Sequence, residues 1–95
     1  MRIFSILEKE TGFTKEQIRE KSGEGKLVRI RCLVLAAFGG FYPQAPLKVR
    51  SSIVGGHEHT KALYYQKRHK EEFSVFDDEY KEILYIVVKR LNQSF

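Results

Sequence analysis

Leu47 to Lys70 reads LKVRSSIVGGHEHTKALYYQKRHK. Two short apolar-periodic segments are divided here by Gly55-Gly56. The polar cluster His57-Glu58-His59-Thr60-Lys61 follows directly, and then a segment carrying Lys67, Arg68 and Lys70. A helix, a tight glycine turn and a second helix that opens with hydrogen-bonding side chains form the layout of a DNA-reading helix-turn-helix. The pattern places the first helix from about Pro46 to Val54 and the second from about Glu58 to Phe73. In the first, Leu47 faces inward, and Val49 or Arg50 and Ile53 or Val54 complete the inner face. In the second, Ala62, Leu63 and Tyr65, with His69 and Phe73, face inward. Lys61, Tyr64, Lys67, Arg68 and Lys70 face outward.

The remainder reads as a scaffold for this pair. Upstream, Tyr42 to Pro46 is a proline-punctuated connection, and Pro46 suits the first turn of the helix it precedes. Before it, Lys26 to about Phe41 carries Leu27, Ile30, Val34, Ala37, Phe38 and Phe41 at three- and four-residue steps, which predicts the central core helix. Gly39 and Gly40 weaken its last turn, by about 1 kcal/mol each relative to alanine. Ser22-Gly23-Glu24-Gly25 is a loop. Thr14 with Gln17 makes a capping box for a short helix to about Lys21, with Ile18 inward and Phe13 as a hydrophobic staple. Residues 2 to 10 form a first helix through Ile3, Ile6 and Leu7, ended by Gly12 as a left-handed cap. Downstream, a final helix begins at Ser74, with Asp77 as the acidic half of its cap. Phe76, Tyr80, Ile83, Leu84, Val87, Val88 and Leu91 form its apolar stripe. Acidic residues open that helix, and Lys89 and Arg90 close it, as the helix dipole favours.

A chain of 95 residues is expected to form one domain of about five or six helices around one modest core. Hydrophobic content of 42% against 31% charged belongs to a globular chain, not a disordered one. The net charge of +5 and pI of about 9.4 favour polyanionic partners. Residues 43 to 73 carry six Lys/Arg against three Asp/Glu, whereas residues 74 to 95 carry three against four, so the surplus precedes the last helix. The single cysteine, Cys32, excludes a disulfide framework and a cysteine zinc site, and its apolar surroundings mark a buried thiol. No signal peptide and no apolar run of about 20 residues is visible. The expected location is the cytoplasm, away from membranes.

His57-Glu58-His59 invites a metal reading, but side chains two apart on a helix diverge and no third ligand is evident. Catalysis by a His-Glu pair would need a nucleophile and a pocket, and no P-loop pattern is present. No metal, cofactor or enzymatic activity is expected. In a DNA complex the same residues have direct uses. Thr60 contacts a thymine methyl or bonds a base, Glu58 accepts from a cytosine amino group, and a histidine bonds a guanine acceptor or a phosphate. Lys61, Lys67 and Arg68 lie along the flanking phosphates.

These residues carry a specific resemblance. From Val49 through Lys67 the chain resembles the C-terminal DNA-binding domain, domain IV, of the bacterial chromosomal replication initiator DnaA. That family runs from a helix through a glycine turn into Gly-Arg-Asp-His-Thr-Thr and two aliphatic residues. Here Gly55-Gly56-His57-Glu58-His59-Thr60-Lys61-Ala62-Leu63 stands in that place. Lys21-Ser22 and Arg29-Ile30-Arg31-Cys32 resemble the family's basic loop and the Arg-x-Arg at the start of its long helix. Thr11-Gly12-Phe13-Thr14 with Ile18-Arg19 resembles the lead-in. The similarity extends from about residue 3 to residue 91.

The resemblance implies an all-α, orthogonal bundle of the Trp repressor kind containing the helix-turn-helix. It implies binding to double-stranded origin-type DNA, in replication initiation or its regulation, with a replication protein as a further partner and a monomeric state. Carried over by position, Glu58, His59, Thr60 and Lys61 contact bases, while Lys21, Arg31 and His57 join Lys67 and Arg68 on phosphates. The sequence departs from the family in three places. His57 replaces the turn arginine, Gly23 falls where the minor-groove arginine stands, and Pro46-Leu47 inverts a Leu-Pro helix start. The ATPase module that precedes this domain in the family has no counterpart here, which fits a stand-alone relative or an excised domain. The alternative is a protein-interaction or regulatory domain that keeps the fold without sequence-specific DNA reading.

Overall fold

The computed structural model describes residues 2–20, 25–56 and 59–93. Among them every regular element is helical: α1 (Arg2–Thr11), α2 (Lys15–Arg19), α3 (Gly25–Phe41), α4 (Leu47–Ile53), α5 (His59–Arg68), a π-helical turn (His69–Phe73), α6 (Ser74–Phe76) and α7 (Asp78–Asn92). The fold is an all-α bundle built around α3.

α3 is apolar nearly all round, so it must lie inside the bundle. Ten of its residues are buried, including Leu33, Val34 and Leu35 on adjoining faces. α1 and α7 pack against each other and against α3, while α5 packs on α3 and α4. α1 buries Phe4 together with Ile3, Ile6 and Leu7. It stops where Gly12 turns left-handed at φ 83°, with the Gly12 N–H bonded to the Glu8 carbonyl at 2.9 Å. The capping box forms as its spacing requires: Gln17 N–H donates to Thr14 Oγ1 at 3.1 Å, and Thr14 N–H donates to Gln17 Oε1 at 2.9 Å. α2 ends at Arg19, short of the expected Lys21.

The last helix departs from expectation. The chain stays helical through Ser74–Phe76 and breaks at Asp77, whose backbone is extended. The cap of α7 is therefore Asp77, not Ser74: its Oδ1 accepts from the Tyr80 N–H at 3.0 Å. The same carboxylate takes two bonds from Arg29, at 2.7 and 3.1 Å. A cap that is also held by the core helix outcompetes a serine with only local partners. Because the break precedes α7, Phe76 falls off the apolar stripe and is 79% exposed.

Asp77→Ala removes both functions and is expected to cost about 1–2 kcal/mol through the cap alone. Asp77→Asn, which retains an acceptor for Tyr80, should cost less; urea unfolding of the two variants checks the order. The Arg29 hydrogen bonds hold the Asp77 carboxyl below its ordinary range. Its contribution is present at neutral pH and is lost as acid protonates it.

Candidate nucleic-acid interface

α4 ends in a Schellman motif. Gly55 N–H donates to Ser52 O at 3.2 Å and Gly56 N–H to Ser51 O at 2.8 Å. Gly55 has φ 112° and Gly56 φ 70°, backbone that glycine adopts without the penalty other residues meet. The glycine pair therefore terminates α4 and redirects the chain into α5. The inner face of α4 is made by Leu47, Arg50, Ser51 and both Ile53 and Val54, with Val49 exposed. Pro46 is the N-cap of α4, not its first helical residue.

Arg50 locks this corner. Its guanidinium donates to Ala45 O and Pro43 O, each at 3.0 Å, and to Gln66 Oε1 at 3.2 Å. It thus ties the connection before α4 to α5, and it passes close to Gly39, where a side chain would lie 3.6 Å from its Nη1. Arg19 reaches from α2 to the Ser52 carbonyl at 3.2 Å. An open apolar groove of about 540 Å³ lies beside the corner, between Phe38 and Tyr42 on one side and Val49 on the other.

α5 turns Ala62 and Tyr65 into the core. Thr60, Lys61, Tyr64 and Lys67 are exposed, and their three- and four-residue spacing sets them along one side of the helix. Leu63, expected inward, is 54% exposed. It is the neighbour of Ala62, a step of about 100° around the helix, and Ala62 and Tyr65 already occupy the core-facing positions. Tyr64 sits between two cations, with Lys61 Nζ 6.0 Å and the Arg68 guanidinium 5.8 Å from its ring centre. Arg68 is engaged by Glu72 through bonds of 3.0 and 2.8 Å, and donates to the Tyr64 hydroxyl at 3.3 Å. Its charge on this face is partly offset by that carboxylate.

Arg31, expected on a phosphate, is 2% exposed. Nε donates to the Ile18 carbonyl at 2.7 Å, Nη2 to the Glu20 carbonyl, and Nη1 to the Tyr65 hydroxyl at 3.4 Å. The arginine sits on a buried face of α3, so its charge turns to the C-terminal carbonyls of α2, where a cation is favoured. The phosphate assignment is replaced by an internal one: Arg31 joins α2 to α5 through α3. Lys21, His57 and Glu58 lie outside the described residues, as does the side chain of His59. Among the described residues no group of three His, Cys, Asp or Glu gathers as metal ligands. Nor, among the described residues, is any helix long and apolar enough to cross a membrane. Burial pushes the Cys32 thiol up to about 12, which leaves it protonated and unreactive at neutral pH.

Beyond α5 the helix widens into the π turn, where Ser74 N–H reaches back to the His69 carbonyl. Two side chains of this turn meet Tyr80: His69 Nδ1 lies 2.7 Å from its hydroxyl, and Phe73 stacks on its ring at 5.1 Å. Burial lowers the His69 pKa from 6.5 and raises that of Tyr80, so a neutral imidazole and a neutral phenol share this hydrogen bond. Because the folded histidine resists the proton that the unfolded chain accepts, stability falls as pH drops below about 6.5 toward the depressed folded value. Urea midpoints measured at about pH 7.5 and about pH 5 should show this loss, and His69→Gln should flatten it.

Compared with protein-family models, with curated proteins and with solved structures, the chain matches none.

Proposed function

We propose that the protein binds double-stranded DNA by laying α5 in the major groove. The observation that carries this reading is the exposed series Thr60, Lys61, Tyr64 and Lys67, held outward by the burial of Ala62 and Tyr65 and braced by α4 across the Gly55-Gly56 turn. The groove of B-DNA admits one helix, and its first turn meets the base edges. In this reading Glu58, His59 and Thr60 address bases, and Lys61 lies where it reaches both a base edge and the flanking phosphate. Lys67, Lys21 and His57 address phosphates, and Arg68 joins them by exchanging Glu72 for a phosphate oxygen. The order of residues shared with DnaA domain IV makes an origin-type duplex, in replication initiation or its regulation, the first target to try.

Fluorescence anisotropy against duplex DNA tests the proposal. Binding at about 50 mM salt that weakens steeply with added salt is expected; no binding, or binding indifferent to salt, overturns it. His59→Ala and Thr60→Ala should each relax sequence preference at one position by roughly 1–3 kcal/mol, read by competition with single-base variants of the duplex.

A second reading is favoured by the apolar part of the same face. Leu63 is 54% and Tyr64 45% exposed, a combination that also suits a protein partner. A stable homodimer in light scattering that protects Tyr64 would favour this reading, since it would cover the face DNA needs.

A further inference from the structure

We propose that Glu72 restrains binding at the α5 face: it holds Arg68 in an internal contact that a polyanion must displace. For duplex DNA the inference rests on the reading of α5 as the groove helix; for other polyanions it does not. Arg68 closes α5, and Glu72 follows one turn later in the π turn. The Nε and Nη2 edge of the guanidinium donates to the two carboxylate oxygens at 3.0 and 2.8 Å. Nη1 donates to the Tyr64 hydroxyl at 3.3 Å. The guanidinium also packs on Phe73, 4.9 Å from the ring centre, and Phe73 belongs to the core. Three side chains therefore hold the arginine in one place.

The planar fork that Glu72 occupies is the one an arginine offers to two phosphate or sulfate oxygens. The carboxylate and an incoming anion cannot fill it together. Arg68 holds the Glu72 carboxyl below its ordinary range, so the competitor is charged at neutral pH. The pair is partly accessible, with 29% and 51% of the two side chains exposed, and accessible pairs are weak enough to exchange. Apparent affinity is then lowered by the fraction of molecules in which Arg68 is engaged. Glu71 carries the same charge at the neighbouring exposed position, yet the bonds of Arg68 go to Glu72 and Tyr64. The two acids therefore differ in contact and not in charge.

Anisotropy titrations of Glu72→Gln and Glu71→Gln, with labelled duplex DNA and with a labelled heparin oligosaccharide, test the restraint. Each variant removes one negative charge, so the difference between them reports on Arg68. Glu72→Gln should bind both polyanions roughly two- to fivefold tighter than Glu71→Gln. Its slope of log K against log salt on duplex should be steeper by up to about 0.9. In an Arg68→Gln background the two variants should bind alike. Equal affinities of the two single variants, or a difference that persists without Arg68, overturn the proposal. The two probes separate this inference from the reading of α5. A Glu72-specific gain on heparin, with no variant binding duplex, sustains the restraint and rejects the groove helix. Duplex binding without a Glu72-specific gain does the reverse, and silence with both probes rejects both.

Discussion

Arg31→Ala is expected to destabilise the fold by about 3–5 kcal/mol, the range for core truncations that leave both a cavity and orphaned polar groups. The side chain fills space between α2, α3 and α5, and it supplies donors to the carbonyls of Ile18 and Glu20 and to the Tyr65 hydroxyl. Small domains hold only about 5–15 kcal/mol of net stability, so the variant should be marginal or unfolded in a urea titration. Arg31→Met keeps much of the volume and removes the buried charge along with its bonds, and should cost clearly less. The pair of variants also separates two roles. A folded Arg31→Met protein should retain the salt dependence of DNA binding, because the arginine is internal. A phosphate contact would instead make the slope shallower by about 0.9.

The second large effect belongs to binding. Lys61→Gln/Lys67→Gln should weaken duplex binding roughly 10- to 100-fold at about 50 mM salt and make the slope of log K against log salt shallower by about 2. Both side chains are exposed, so the urea midpoint should hardly move; surface changes of this kind stay within about 0.5 kcal/mol. Lys81→Gln serves as the control. It removes a cation of α7 that is already paired with Asp78 at 3.1 Å, and should leave the slope nearly unchanged.

Much of this is legible in the sequence, for reasons that are local. The Thr14 and Gln17 box, the Gly12 stop and the Gly55-Gly56 stop each depend on residues within one turn of the feature. The apolar run of α3 announces a helix that is buried on most of its faces. That same run held a signal for Arg31, which stands inside the apolar stretch from Leu27 to Leu35, although Arg29, two residues earlier, reaches the surface at Asp77. The Arg68 and Glu72 pair, at helical spacing, was likewise visible as an interaction that competes for a proposed phosphate ligand. What stayed hidden depends on distant partners. Ser74 and Asp77 are both competent caps, and Arg29, far away in the chain, makes Asp77 the one used. Arg50 could be placed on the inner face of α4 only once the carbonyls of Pro43 and Ala45 were seen to converge on it. Ala62 and Leu63 are adjacent and both apolar, and the packing of α5 on α3 and α4 decides which of them is covered.

The most direct test of DNA reading by α5 is amide chemical-shift mapping of the nitrogen-labelled protein titrated with duplex DNA. The largest changes should fall on Thr60, Lys61, Tyr64 and Lys67; a bound duplex that leaves these four amides unperturbed would contradict the placement of α5 in the groove.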